Sequence, residues 1–161
     1  DTYLEAFYTS WLATEQTVGG KRLLVSIGGE AKSKLIEEIT KLEASGWEIY
    51  ATNHTHQYLA EHGVGSTFLY KASDGMTPSV LEMIAEKKAD LIVNIPRQKN
   101  GRAEKTDGYA IRRLAIDHHI PLITNLELAK LFLRCLVEID TQKLEPKSWN
   151  EYHYHIIDAN R

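Results

Sequence analysis

Cysteine is almost missing from this sequence: Cys135 stands alone among 161 residues, which excludes an internal disulfide and any cysteine-built zinc cage. Its place within an apolar periodic stretch is that of a small buried side chain. Proline numbers only four and glycine ten, so collagen-like repeats and low-complexity linkers are excluded as well. No apolar run approaches the ~20 residues of a membrane span, and no signal-peptide arrangement opens the chain. Basic excess is also lacking. The 19 Lys and Arg against 22 Asp and Glu give a formal charge of -3, so no general field favours phosphate-driven nucleic-acid binding. The expectation is a soluble, cytoplasmic protein that binds neither nucleic acid nor membrane, with room for one local anion pocket.

What the sequence does contain is an ordinary globular balance, 43% hydrophobic, 9% aromatic and 25% charged, in a length that supports one full core. It opens at Asp1, without Met, on the helical pattern Tyr3, Leu4, Phe7, Trp11, Leu12, as though cut from something longer. After Gly19-Gly20 the apolar segments alternate in type. Leu23–Ile27, Trp47–Thr52, Thr67–Tyr70, Ala89–Asn94 and Ile120–Thr124 are short, nearly continuous apolar runs, as expected of strands buried on both faces. Between and after them Leu35, Ile36, Ile39 and Leu42, then Tyr58 and Leu59, then Val80, Leu81, Ile84 and Ala85, recur at helical spacing. Tyr109–His119 and Leu126–Ile139 read as two more helices. Ser45-Gly46 and His62-Gly63 close helices, while Thr77-Pro78 offers an N-cap and a first-turn proline. Five strands alternating with helices specify right-handed βαβ crossovers. The fold class is therefore α/β, a three-layer sandwich with a five-stranded parallel sheet. The Pro96–Asp107 stretch carries no apolar period and reads as an exposed loop. The tail 144–161, with Trp149, Tyr152, Tyr154, Ile156 and Ile157, reads as an edge strand.

In such sheets ligands bind beyond the C-terminal strand ends, which makes the residues after each strand informative. The first strand is followed by Gly28-Gly29-Glu30-Ala31-Lys32, in which flexible glycines, a cation and a helix N-terminus favour an anion. This loop lacks both the G-x-G-x-x-G and the G-K-[ST] spacing, so neither a dinucleotide site nor a P-loop is claimed. Thr52, Asn53, His54 and Thr55 offer hydroxyls and helix-start N–H groups to a phosphate or carboxylate; Thr52 and Thr55 as plain helix caps are the alternative. Lys71 follows the third strand. Asn94 closes the fourth, where an amide has four hydrogen-bonding valences to satisfy, and Ile95-Pro96-Arg97 follow it.

On these residues the chain resembles the methylglyoxal-synthase-like domain family, most closely its branch at the C-terminus of the large subunit of carbamoyl-phosphate synthetase. The matching stretches are Leu24-Val25-Ser26-Ile27 with Lys32, Gly46–Thr52 with Thr55, Lys71 with Asp74-Gly75, Asp90–Asn94, Tyr109–Ala115 and Ile120–Asn125. Together they span about residues 22–137, and the I-R-R-x-A run before I-P-L is the most specific. The resemblance implies a linker helix over 1–20, an effector-binding domain over 21–143 and the tail over 144–161. It implies an allosteric domain without catalytic or metal-binding residues, whose effector is held by Lys32, Thr52, Thr55, Lys71, Asn94, Ser26 and Arg97. The effector implied is a phosphorylated nucleotide such as UMP or IMP. The N-acetylglutamate branch carries a tryptophan at the position of Lys71 and asparagines at those of Arg97 and Gly108. No cofactor is implied in this domain. ATP, Mg and K belong to the parent enzyme, an ATP-dependent ligase of pyrimidine and arginine biosynthesis, whose other domains and glutaminase subunit are the implied partners.

Methylglyoxal synthase itself acts on dihydroxyacetone phosphate and needs a positioned general base. At the family position after Gly75 this sequence reads Met76-Thr77-Pro78, without the aspartate, and Asp74 does not match in spacing. The pairs His54-x-His56, His118-His119 and His153-x-His155 share no H-E-x-x-H face and read as surface or capping residues. Ser26 and Ser73 lack a G-x-S-x-G context. Arg112 and Arg113 have three readings: facing the effector, meeting a partner domain, or stabilising the fold.

Overall fold

The structure, a computed structural model, describes residues 2–99, 102–103 and 107–144. The elements run α1 (Tyr3–Leu12), β1 (Arg22–Ile27), α2 (Ala31–Ala44), β2 (Glu48–Thr52), α3 (Asn53–Glu61), β3 (Thr67–Leu69), α4 (Val80–Ala85), β4 (Leu91–Ile95), β5 (Gln98–Lys99), β6 (Arg102–Ala103), α5 (Gly108–Asp117), β7 (Leu122–Ile123) and α6 (Leu126–Glu138). Five strands form an all-parallel sheet in the order β3-β2-β1-β4-β7. The chain winds outward from β1 through β2 to β3, then returns to the other side of β1 with β4 and β7. The switch between the two directions falls between β1 and β4, and crevices at C-terminal strand ends form at such a switch.

Strand residues alternate between two cores, as the period of two requires. Leu23, Val25, Ile27, Ile49, Ala51, Leu91, Val93 and Ile95 face one apolar cluster with α1, α2, α3 and α6. Leu24 and Ile92 face the other, under α4 and α5 with Val80, Ile84, Ile111 and Ala115. Phe132, 1% exposed, anchors the first cluster. The rings of Phe7, Tyr8 and Trp11 lie 6.5, 5.6 and 4.7 Å from it, so α1 packs onto α6 as part of this core. Burial of one such ring contributes about 2–3 kcal/mol. Cys135 is fully buried, donates to Leu4 O at 3.6 Å, and has its thiol pushed up to about 11 by burial, which makes it a packing residue with little thiolate.

At the N-terminal edge Arg22 grips Asp90. Arg22 Nε donates to Oδ2 at 2.8 Å, Nη2 to Oδ1 at 2.9 Å and the backbone N to Oδ2 at 3.0 Å, pinning the start of β1 to the entry of β4.

Two local expectations are corrected. The cap of α4 is Ser79, with Glu82 completing a capping box, and not Thr77-Pro78. The segment from Pro78 to Val80 instead pairs in extended form with Tyr70, whose N donates to Pro78 O and whose O accepts from Val80 N. The Pro96–Asp107 stretch, read as plain loop, contains the antiparallel hairpin β5–β6. The edge strand expected in the tail falls in 145–161, outside the described residues.

Candidate functional site

One polar row crosses the C-terminal ends of three neighbouring strands. Ser26 on β1 pairs in register with Asn94 on β4, and Thr52 at the end of β2 donates its hydroxyl proton to Ser26 Oγ at 3.2 Å. The row lies on the same sheet face as Leu24 and Ile92, two residues earlier, so the alternation that buries those side chains aims these beyond the core. A cavity of about 340 Å³ opens above it. Its lining includes all seven residues expected from the sequence, Ser26, Lys32, Thr52, Thr55, Lys71, Asn94 and Arg97.

Their roles differ. Lys32 lies in the first turn of α2, with Nζ 3.3 Å from Gly29 O. Its ammonium is held below its ordinary pKa by burial first, then by the nearby charges of Arg97 and Lys71. None of these three cations has an ion-pair partner among the described residues. Thr52 precedes α3 yet does not cap it, because its hydroxyl turns to Ser26. Thr55 caps nothing either: it is 2% exposed, and its hydroxyl accepts from Ile27 N at 3.0 Å and donates to Ile27 O at 3.3 Å. The proton of that hydroxyl is therefore committed to the fold. What the first turn of α3 offers the cavity is its backbone N–H groups, for which a helix start provides no intrahelical acceptor.

His54, Asp107, Gly108 and Ile111, none of them in the expected set of seven, also line the cavity. The last three come from the start of α5, brought to β4 by packing that no local pattern announces. Asp107 is the one carboxylate in the lining among the described residues, and it accepts from Ser73 Oγ at 2.7 Å. Asp74 is outside the lining, and its Oδ2 accepts from Lys71 N at 2.9 Å, closing the turn after β3. Of the histidines, His56 meets Ser66 Oγ at 2.8 Å and His62 meets Tyr58 O at 2.8 Å. Arg113 pairs with Asp117 one turn on, whereas Arg112 reaches back to Asn94.

Gly28 makes the wall possible. Its N donates to Ile95 O at 2.8 Å, and a Cβ there would stand 2.4 Å from Arg97 N, so the loops after β1 and β4 touch backbone to backbone. Beyond Arg97 lies a second hollow of about 540 Å³, lined by Glu30, Thr124, Asn125 and Leu126 among others. It is larger, but among the described residues its one cation is Arg97 and Glu30 adds a negative charge, so the positive charge gathers at the first.

A five-stranded parallel sheet with a cation-lined cavity at its switch point places the chain among α/β domains of the three-layer kind. The chain belongs to the MGS-like domain family, whose model matches residues 34–124. It is 35% identical over 162 residues to a carbamoyl phosphate synthase large chain of Methanosarcina barkeri, covering 97% of this chain and 39% of that one. It is 38% identical over 154 residues to the large chain of Methanosarcina mazei, with 92% and 14% covered. It is 32% identical over 143 residues to the C-terminal section of the large chain of Aquifex aeolicus, with 88% and 26% covered. The protein thus spans well under half the length of these relatives. The fold is also that of a methylglyoxal synthase from Elizabethkingia anophelis, at a TM-score of 0.56 and 16% identity, covering 83% of this chain and 90% of that one.

Proposed function

We propose that this chain is the effector-binding regulatory domain of a carbamoyl phosphate synthase large chain, and that it holds a phosphorylated nucleotide such as UMP or IMP at the C-terminal edge of its sheet. The observation that carries this reading is the set of three cations, Lys32, Lys71 and Arg97, around one cavity without ion-pair partners among the described residues. Like charges held together raise the free energy of the empty site and lower that of the site with a dianion in it. In this reading Lys32 and Lys71 neutralise the phosphate, the first turn of α3 donates backbone N–H groups to it, and Thr52, Ser26 and Asn94 fix its orientation. Arg97, exposed on the loop after β4, adds a third positive charge. The ATP- and Mg-dependent chemistry, its K requirement and the glutaminase subunit belong to the parent protein in the cytoplasm. Regulation then consists in different effector affinities of two states of that larger assembly.

Calorimetric titration of the protein with UMP, IMP and N-acetylglutamate, and an assay for turnover of dihydroxyacetone phosphate, test this. Nucleotide binding weakened at least tenfold by Lys32→Ala or Lys71→Ala supports the proposal. Binding of N-acetylglutamate alone replaces it with the other regulatory branch. Turnover of the triose phosphate refutes a purely regulatory domain.

A further inference from the structure

Arg112 lies outside the cavity lining, on α5 one residue past Ile111, yet it controls a residue within it. Its Nη1 donates to Asn94 Oδ1 at 2.8 Å, while Asn94 Nδ2 donates to Ser26 O at 3.3 Å. A guanidinium has donors only and a peptide carbonyl is an acceptor only. Turning the Asn94 amide over would therefore set two donors face to face at Arg112 and two acceptors face to face at Ser26. The orientation is fixed by chemistry at both ends. Asn94 is 3% exposed, so both contacts are largely shielded from bulk water.

We infer that Arg112 is the positioning residue that turns the floor of the cavity into a hydrogen-bond donor. With Oδ1 held by a cation and one Nδ2 proton given to Ser26 O, the remaining Nδ2 proton is what Asn94 has to offer a ligand, and the charge on Oδ1 polarises that N–H further. The site accordingly selects a ligand whose innermost polar atom is an acceptor, and it rejects one that presents a donor there. Lys32, Lys71 and Arg97 set the charge of the ligand; Arg112, acting through Asn94, sets the polarity of the contact at the floor. This rests on the proposed effector site, but the clamp itself exists without ligand and is testable without one.

The test has two arms. In the first, the side-chain amide of Asn94 is followed by ¹⁵N NMR in the ligand-free protein and in Arg112→Met and Arg112→Lys. The two Hδ signals of a primary amide are distinct in any case, so the expected result is a displacement of the Asn94 Nδ2 and Hδ shifts in Arg112→Met, as the cation on Oδ1 is lost. In the second, UMP and IMP are titrated calorimetrically into the parent protein, Arg112→Met, Asn94→Ala and the double variant. Arg112→Met is expected to weaken binding about tenfold and, by leaving Asn94 Oδ1 without its donor, to lower the melting temperature as well, and the double variant to bind no worse than Asn94→Ala alone. Losses that multiply in the double variant would make Arg112 an independent electrostatic contributor and overturn the inference. So would an Asn94 signal unchanged in Arg112→Met. Should Arg112→Met fail to fold, Arg112→Lys decides through both readouts: full affinity together with a displaced Asn94 amide signal contradicts a positioning role. Absence of nucleotide binding to the parent protein would sink the functional proposal, and the NMR arm would then decide the clamp by itself.

Discussion

Thr55 closes a two-way hydrogen-bonded link with the backbone of Ile27, accepting from its N at 3.0 Å and donating to its O at 3.3 Å. A helix is thereby tied to the end of the neighbouring strand at the point where β2 no longer pairs with it. The threonine shapes the cavity by holding α3 and β1 together while its hydroxyl proton stays out of reach of a ligand.

Thr55→Val is expected to leave Ile27 N without its partner and to destabilise the fold by about 2 kcal/mol. For a domain of this size that corresponds to a melting temperature lower by about 4–8 °C. Thr55→Ser should restore most of the loss. Thermal unfolding of the two variants measures this, and a Val variant as stable as the parent would show that the link contributes nothing.

Lys32 sets a pH dependence whose sign follows from its lowered pKa, caused by burial and then by Arg97 and Lys71. The unfolded state holds the Lys32 proton to higher pH than the folded one, so this group's opposition to folding fades as pH rises through its folded pKa. A bound phosphate reverses the shift. Its affinity should therefore fall as pH rises through the Lys32 titration, and also fall below about pH 6, where the phosphate takes up its second proton. Titration of the Lys32 ¹³Cε signal, with and without saturating nucleotide, should show an upward move on binding. An unmoved Lys32 would place the phosphate elsewhere.

Asp90 gives the opposite slope. Hydrogen bonds from the Arg22 side chain are the main cause holding its carboxyl below the ordinary carboxylate range. The stabilisation is complete above that range and is lost as pH falls through the folded pKa. Asp90→Asn should cost about 2 kcal/mol at neutral pH and flatten the acid limb of the stability curve. Urea unfolding at several pH values reads both effects, and an unchanged acid limb would contradict the assignment to this pair.

Much of the architecture was legible because it rests on local period. Buried strands of the inner sheet are continuous apolar runs, and the residues just after them fall at the switch point whatever else the sequence does. Ser26, Thr52 and Asn94 could be found because each interrupts or ends an apolar run with a polar side chain. The uses of Thr52 and Thr55 were not legible, since capping and cross-strand bonding draw on the same hydroxyl and only the third dimension chooses between them. Asp107 was missed, and Arg112 was left with three readings, for a related reason: packing of α5 against β4 sets Asp107 in the cavity lining and Arg112 on Asn94. The cap of α4 was misplaced because pairing with Tyr70 overrode a sound local signal at Thr77-Pro78.

The central claim is that the cavity bounded by Lys32, Lys71 and Arg97 is the effector site. Mapping backbone amide shifts during titration of the ¹⁵N-labelled protein with UMP or IMP tests it most directly. The largest changes should fall at Gly28–Lys32, at Asn53–Thr55 and at Asn94. Changes confined to Thr124–Leu126 beside the second hollow, or none at millimolar nucleotide, would contradict it.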